Sequence, residues 1–554
     1  MAETTLAPRQ LAASPAPLAA GSRAHALPPE VAHALLLAGL ALVVFAHGFL
    51  HDFTNWDDHA YIVENPTIRE LSWQTLARAF GGFHVLNYNP LHILSYALDH
   101  AVWGLEPAGF FLSNLVLHAT AGVLVYLIAL WFVATRGAAF FAAALFVVHP
   151  TRVESVVWLS QRKDVLSACF VLASLLAYLH GVRASSPARR RALAIVAWSL
   201  FVLACLAKSQ VVAFPLLLVA VDSSQRRPLA RALPGKLPYL AVSVVFALVT
   251  LAAHEGGAQH GIEFPDCITA PLAAVSIYAA HLAWPVGLSP YYDLRPEDFA
   301  SAPRVAAGAL LTVVALVVAW RSWQRERVLL VAVACFVAFT LPVLGIVRIN
   351  VQVADRYLYL AIAGAAILLA RAGSGLRVPR RTKALAAGAL VATLSVATIA
   401  YVPVFRNSVS LWRHVLERAP GCSLAHSNLG HHYLGAGRYD LAIAHYDADL
   451  AARPIFETSL LGRALLHEHA GELRAAEALL RHTVELQPES DRARAMLEEF
   501  VARHARRALT SPRRPRRRPP PPRSRSRARS CRAGGGRRSG SSATTRGRRS
   551  DRRR

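Results

Sequence analysis

The sequence has few cysteines, and they do not occur in pairs. Only six of the 554 residues are cysteine, and Cys169, Cys205 and Cys335 lie inside apolar runs. This pattern excludes a disulfide framework and a cysteine-rich zinc site. Residues 1–30, which we expect to be disordered, lack the charged, apolar and cleavage regions of a signal peptide. We therefore expect the first apolar segment to be retained as a membrane anchor.

Long apolar runs dominate the rest of the chain. Apolar side chains make up 54% of the sequence, a composition typical of a polytopic membrane protein. A helix needs about 20 apolar residues to cross a bilayer core. We count eleven candidate runs, several of them short, at residues 31–50, 112–134, 137–150, 164–182, 191–207, 209–222, 238–254, 303–320, 328–345, 357–371 and 384–402. The sequence thus predicts an all-α fold with about eleven transmembrane helices in a membrane domain over 31–402.

The distribution of Lys and Arg in the short loops predicts the orientation of these spans. The basic loops alternate along the chain and should be cytoplasmic. The opposite set should face outward, and it contains the loops 51–111, 151–163 and 255–302. The segment 271–289 is apolar enough for a twelfth span, but counting it would place a basic loop outside. We interpret that segment as interfacial or re-entrant.

The net charge of +26 is concentrated in the C-terminal tail. Residues 511–554 contain eighteen Arg and one acidic residue, and so supply +17 of the total. The tail has almost no apolar side chains, so we predict that 509–554 is disordered. Binding of RNA or anionic lipid is one interpretation of this charge. We favour a non-functional extension and expect no nucleic-acid partner.

Residues 403–508 contain a repeat with a period of 34 residues. Pro420, Pro454 and Pro488 have this spacing, as do Gly437 and Gly471. The stretch SNLGHHYLGAGRYDLAIAHYDADLAARP resembles the tetratricopeptide repeat, whose stacked helix pairs form a groove suited to an extended peptide. A small helical cap without a ligand is the alternative interpretation. With eleven spans and a cytoplasmic N-terminus, the repeats should lie on the outward side.

Charged and polar residues that are unusual beside a membrane collect in the predicted outward segments. Two adjacent carboxylates follow the first apolar run in TNWDDHAYI, and basic groups occur where the positive-inside rule disfavours them. Such cations need an anionic partner, and a lipid phosphate is a natural one. Our candidate phosphate ligands are, in order of preference, Arg356 and Lys208, then Arg162 and Arg348. Candidates for binding sugar or acceptor are Glu154, His149 and Tyr357, with capping of a short span as the alternative for His149.

Several motifs together carry a family resemblance. WDD with Tyr61, YNPLHILSYALDHAVWG, HPTRVESVVWLSQRKDVLSA, CLAKSQVVAFP and ADRYLYL occur in this order before the repeats. The combination resembles the transmembrane and tetratricopeptide repeat-containing family over residues 31–490. That resemblance implies a polytopic C-type glycosyltransferase, an O-mannosyltransferase that uses a polyprenyl-phosphate-linked mannose. The array here is shorter than in long-array members of the family.

The resemblance implies that the acidic pair, Asp57 and Asp58, activates the acceptor. A carboxylate within hydrogen-bond reach of a Ser or Thr hydroxyl can take its proton during attack on the anomeric carbon. Adjacent residues of an extended loop point to opposite sides, so only one of the two can be the base. We expect Asp57 to be the base and Asp58 to orient the acceptor or hold the loop, and leave the reverse assignment open. Fixed cations would stabilise the leaving phosphate, and we predict no obligatory metal, although some C-type relatives bind one at such carboxylates.

Two classes of function follow from these observations. The first is a lipid-phosphate-sugar glycosyltransferase that acts on exported protein, with the repeats binding the peptide or protein acceptor. The second is a non-catalytic membrane scaffold or lipid-sugar transporter whose repeats recruit a partner. We expect a multi-pass protein of the bacterial cytoplasmic membrane with the active face and the repeats in the periplasm, or of the endoplasmic reticulum membrane if the host is eukaryotic.

Overall fold

A computed structural model describes residues 27–254, 266–322, 327–344, 351 and 353–510. Helices and turns make up the regular structure of these residues, with a single isolated bridge between His84 and Asn87. The helices of the N-terminal part are α1 (Pro29–Phe45), α2 (Trp73–Gly81), α3 (Pro90–Trp103), α4 (Pro107–Ala129), α5 (Arg136–Val148), α6 (Val153–Val157), α7 (Arg162–Arg183), α8 (Pro187–Ala207), α9 (Phe214–Ser224), α10 (Leu229–Ala232), α11 (Leu237–His254), α12 (Asp266–Ala283), α13 (Pro296–Phe299), α14 (Ala302–Ser322), α15 (Arg327–Thr340), α16 (Ala361–Gly375) and α17 (Arg380–Tyr401).

Within the described residues, seven helices are long and apolar enough to cross a membrane. They lie at Pro29–Leu50, Pro107–Ala129, Leu159–Arg183, Pro187–Ala207, Leu229–Ala253, Ala302–Ser322 and Arg380–Phe405. The pair α5 and α6 adds an eighth span if it is counted as one helix bent by 57°. The chain is therefore a multi-pass, all-helical membrane protein.

The structure does not confirm the count of eleven spans. Three of the predicted runs form shorter apolar helices, at Ser209–Ser224, Val328–Val343 and Ala361–Gly375. A helix rises about 1.5 Å per residue, so about 15 residues fall short of a hydrocarbon core of about 30 Å. A fourth short apolar helix, Ile268–Ala283, overlaps the segment 271–289 that was predicted to be interfacial or re-entrant.

Close packing of α12 against α14 depends on a glycine. A Cβ atom added at Gly308 of α14 would lie 1.8 Å from the carbonyl oxygen of Leu272 in α12. Only a residue without a side chain lets the two backbones approach this closely. This contact fixes α12, which leads into the segment 284–295.

The C-terminal helices are α18 (Ser408–Arg418), α19 (Ser423–Gly435), α20 (Tyr439–Ala452), α21 (Glu457–His469), α22 (Leu473–Leu486) and α23 (Asp491–Thr510). Helix α18 begins with a capping box formed by Asn407 and Ser410. Gly437 and Gly471 form the turns within the pairs α19–α20 and α21–α22, with φ of 71° and 77°. These left-handed values favour glycine, which accounts for the periodic glycines. The tetratricopeptide assignment itself stays a prediction.

By its internal contacts the chain divides into the units Met1–Leu497 and Glu498–Arg554. The first unit contains the membrane helices together with α18 to α22, which we call the repeat region (residues 408–486). The arginine-rich segment 511–554 lies outside the described residues, as do residues 1–26.

Candidate active site

The two adjacent aspartates of the first loop have different environments. The Asp58 side chain is fully buried and accepts hydrogen bonds from the backbone N–H of Thr54 (2.8 Å), the Thr54 hydroxyl (2.9 Å) and the backbone N–H of Ser160 (2.8 Å). Burial raises the pKa of this carboxyl group, and the hydrogen-bond donors oppose that effect. Asp58 therefore joins the first loop to the segment between α6 and α7.

Asp57 is the more available acid. Its side chain is half-buried, and its carboxylate accepts no hydrogen bond within the described part of the chain. It interacts electrostatically with the Lys163 ammonium and with Tyr61. A half-buried carboxylate with unused oxygen lone pairs can accept a proton as a general base.

Arg356 and Lys208, the two cations preferred from the sequence, share one aromatic ring. The Arg356 guanidinium carbon lies 5.0 Å from the ring centroid of Tyr357, and the Lys208 ammonium lies 5.5 Å from it. The Tyr357 hydroxyl donates to the carbonyl of Val351 (2.9 Å), which fixes the ring. The structure therefore brings three predicted site residues together.

Each of these two cations has a carboxylate partner. Glu154 accepts a hydrogen bond from the Arg356 backbone N–H (2.9 Å) and forms an ion pair with its guanidinium group. Lys208 forms an ion pair with Asp164, which also accepts from the Ser155 hydroxyl (2.9 Å). Residues of both pairs line a small pocket, whose walls are formed by Asp164, Ser167, Lys208, Gln210, Val211, Arg356, Tyr359 and Leu360.

A third cation, Lys163, belongs to the cluster although we did not select it from the sequence. Its side chain is buried, its ammonium lies 5.0 Å from the ring centroid of Tyr61, and no carboxylate of the described residues forms an ion pair with it. Lys163 interacts electrostatically with Asp57, Asp164, Glu154 and Arg356. It therefore interacts both with the acid and with the charged groups around Arg356 and Lys208.

The geometry of α7 explains why Lys163 and its neighbours have different partners. Successive residues of a helix are rotated by about 100°, so Arg162, Lys163 and Asp164 in its first turn face three directions. Asp164 faces Lys208, and Lys163 faces Tyr61. The sequence alone does not show which of the two adjacent cations, Arg162 or Lys163, belongs to the cluster.

Arg162, predicted as a phosphate ligand, lies in a separate buried network. Its guanidinium group donates to the Asn114 side chain (2.7 Å), forms an ion pair with Asp99, and donates to the carbonyls of Ser95 and Phe110 (3.1 and 2.9 Å). The Arg162 side chain is 1% exposed. We therefore leave it out of the candidate site, because its donors are occupied by the protein. Arg348, the fourth predicted cation, lies outside the described residues.

We expect the substitution Arg162→Met to destabilise the protein without removing the site. It would leave the carboxylate of Asp99 buried and unpaired, a change that costs about 3–5 kcal/mol of unfolding free energy. Denaturant or thermal unfolding in detergent measures this loss, and Asp99→Asn in the same chain should recover part of it. Arg162→Met with unchanged stability would contradict this structural role.

Glu154 and His149 were both predicted to bind sugar or acceptor. In the structure, their side chains contact other groups of the protein. Glu154 is fully buried against Arg356, as described above. The His149 ring has Nδ1 at 2.9 Å from the Thr151 hydroxyl and Nε2 at 3.2 Å from the carbonyl of Leu282. His149 caps the turn between α5 and α6, which favours the capping alternative.

The fold and this geometry define a class: a multi-pass helical membrane protein with a half-buried acid that interacts electrostatically with one of three mostly buried cations. Known proteins to which the chain is similar carry names that agree with this class. The chain is 34% identical over 155 residues to protein O-mannosyl-transferase TMTC1 of Mus musculus, covering 26% of this chain and 16% of the relative. It is 23% identical over 500 residues to protein O-mannosyl-transferase TMTC4 of Homo sapiens, covering 76% of this chain and 66% of the relative.

The chain thus spans less than two thirds of the length of these relatives. No protein-family model matches the sequence. Among solved structures, ArnT from Cupriavidus metallidurans bound to undecaprenyl phosphate aligns with 17% identity and a TM-score of 0.36, over 81% of this chain and 79% of that chain. The resemblance inferred from the motifs is confirmed by the relatives named above.

Proposed function

We propose that this protein is a membrane glycosyltransferase that transfers a sugar from a polyprenyl-phosphate-linked donor to a Ser or Thr hydroxyl of an exported protein. The observation that carries the proposal is that Asp57 is half-buried, accepts no hydrogen bond from the described residues and interacts electrostatically with Lys163. The names of the similar proteins support mannose as the sugar. The reaction would take place on the non-cytoplasmic face.

The reaction is a single displacement at the anomeric carbon. The acceptor oxygen forms a bond to this carbon, and its proton passes to the Asp57 carboxylate. The bond from the anomeric carbon to the phosphate oxygen breaks, and its electron pair stays on the lipid phosphate. Because the acceptor attacks opposite the leaving group, the anomeric configuration is inverted.

The cations stabilise the charge that develops on the departing phosphate. Lys208 can donate three hydrogen bonds and uses one on Asp164. Arg356 has five N–H donors, and only part of them are occupied by Glu154. The carboxylate partners hold both cations in place and leave donors for the phosphate oxygens.

Reconstituted protein in liposomes provides the direct test. We expect transfer of mannose from a polyprenyl-phosphate mannose to Ser/Thr peptides, detected by mass spectrometry, with inverted configuration at the anomeric carbon. Mass spectrometry of exported proteins from cells with and without the gene should show the matching loss of modified sites. Absence of transfer from every polyprenyl-phosphate sugar tested would overturn the proposal and favour a scaffold or transporter.

We expect Lys163→Met to weaken use of the lipid donor. Loss of one cation from the cluster should raise the KM for the donor about tenfold, which corresponds to about 1.4 kcal/mol. Lys163→Arg should retain part of the affinity because it keeps the charge. Steady-state kinetics at varied donor concentration measures the effect, and an unchanged KM in Lys163→Met would contradict the assignment of Lys163 to the site.

A further inference from the structure

Residue Asn55 of the first loop, two positions before Asp57, forms three hydrogen bonds with the repeat region. Its backbone N–H donates to the Ser408 hydroxyl (2.9 Å), and its side-chain amide donates to the carbonyl of Asn428 (2.7 Å). Its side-chain oxygen accepts a hydrogen bond from the indole N–H of Trp412 (2.9 Å). We call these four residues the Asn55 clasp.

An aromatic stack continues from the clasp into the site. Trp56 stacks on Trp158 with ring centroids 4.3 Å apart and an interplanar angle of 22°, and it contacts Trp412 with centroids 5.0 Å apart. The guanidinium carbon of Arg356 lies 5.6 Å from the Trp158 ring centroid. Trp412 therefore contacts the residue beside Asp57, and the stack reaches one of the site cations.

The repeat region also contacts the segment 284–295, which follows α12. The His414 ring nitrogen Nε2 lies 3.0 Å from the carbonyl oxygen of Leu288 in this segment. The Tyr292 hydroxyl, in the same segment, lies 2.9 and 3.0 Å from the two carboxylate oxygens of Asp355, the residue directly before Arg356. The repeat region thus contacts two segments that lead to the site, the first loop and the segment 284–295.

We propose that the repeat region is a positioning element for the active site and that Asn55 is the positioning residue through which it sets the place of Asp57. This inference rests on the proposed function. Asn55 and its three clasp partners are uncharged, so the clasp fixes geometry and adds no charge to the site. Misplacement of a reacting group by about 1 Å can cost a factor of about 100 in rate.

The test uses the full chain in liposomes with the variants Asn55→Ala and Trp412→Phe. Trp412→Phe keeps an aromatic ring and removes the indole N–H that donates to Asn55. We expect kcat to fall about tenfold to a hundredfold in each variant, with the KM for the lipid donor unchanged within about twofold. The double variant should lose no more than the more damaging single one, because both changes break one clasp.

The matched control is Arg413→Ala, a neighbour on α18 whose guanidinium group contacts the Tyr433 hydroxyl (3.3 Å) inside the repeat region. It should leave kcat near the wild-type value. Hydrogen–deuterium exchange of first-loop peptides provides a readout that does not need activity, and we expect faster exchange in both clasp variants.

The outcomes separate the two proposals. Unchanged kcat and unchanged exchange in both clasp variants would overturn the positioning role, as would an equal loss of kcat in Arg413→Ala. If the wild type transfers no sugar, the proposed function fails. In that case the exchange rates of the first-loop peptides still test whether the clasp orders this loop. Unchanged exchange rates in the clasp variants would overturn the positioning role.

Discussion

Asp57→Asn should lower the transfer rate by about 10²- to 10⁴-fold, the usual contribution of a general base. The amide has the same shape but cannot take the acceptor proton. Because the Asp57 side chain is half-buried and makes no hydrogen bond within the described residues, membrane insertion and unfolding temperature should stay unchanged. Transfer assays and thermal unfolding of the same preparation measure both quantities.

Asp58→Asn is the matched comparison and should behave differently. Both carboxylate oxygens of Asp58 accept hydrogen bonds, and an amide NH₂ in place of either oxygen would face an N–H donor. We expect a loss of about 1–3 kcal/mol of unfolding free energy, with a smaller effect on activity per folded molecule. An inactive Asp58→Asn of normal stability, together with an active Asp57→Asn, would reverse the two roles.

The second large effect is expected at the buried pair of Arg356 and Glu154. Arg356→Met removes a cation that would contact the leaving phosphate, for which a single stabilising group is worth about 10²- to 10³-fold in rate. It also leaves the Glu154 carboxylate buried without its partner, a cost of about 3–5 kcal/mol in stability.

The double variant Arg356→Met with Glu154→Gln separates these two effects. It should regain much of the unfolding free energy, because no unpaired charge remains, and it should stay as inactive as the single variant. Recovery of transfer along with stability would show that Arg356 acts only through the fold. Unfolding in detergent and transfer in liposomes are the two measurements.

The all-helical membrane class could be predicted from hydropathy, because the length of each apolar run can be read from the sequence and compared with the length needed to cross a bilayer. The number of spans could not be predicted, because several runs are about 14 to 18 residues long. At this length, a short membrane-spanning helix and a re-entrant helix have the same composition. The run at 209–222 shows the difficulty, because it is a 3₁₀ turn followed by a helix, Ser209–Ala213 and Phe214–Ser224. The break follows Lys208, and composition alone does not indicate its angle.

The sequence predicted the types of residue in the candidate site, but only some of the individual residues. Charge and position selected Arg356 and Lys208, and the structure brings these two together. Arg162 and Lys163 are adjacent in the sequence, and their roles are separated by the rotation of α7 and by the presence of Asp99 on another helix. No local pattern contains that information, because the deciding partner is 63 positions away.

The clasp could not be predicted either, since nothing in TNWDD indicates which residues bind Asn55. Its partners are separated from Asn55 by 353 to 373 residues. Period and composition indicated a helical module over 403–508 but not its attachment to the first loop. Only the tertiary structure relates the two segments.

The long sequence separation within the Asn55 clasp has a consequence for biosynthesis. Contacts between distant segments form late, and a chain emerging from the ribosome acquires its N-terminal parts first. The loop bearing Asp57 is therefore synthesised early. Its partners Ser408, Trp412 and Asn428 are synthesised only after all the membrane helices. A nascent or truncated chain should therefore hold an incompletely positioned first loop until the repeat region has been synthesised and has docked.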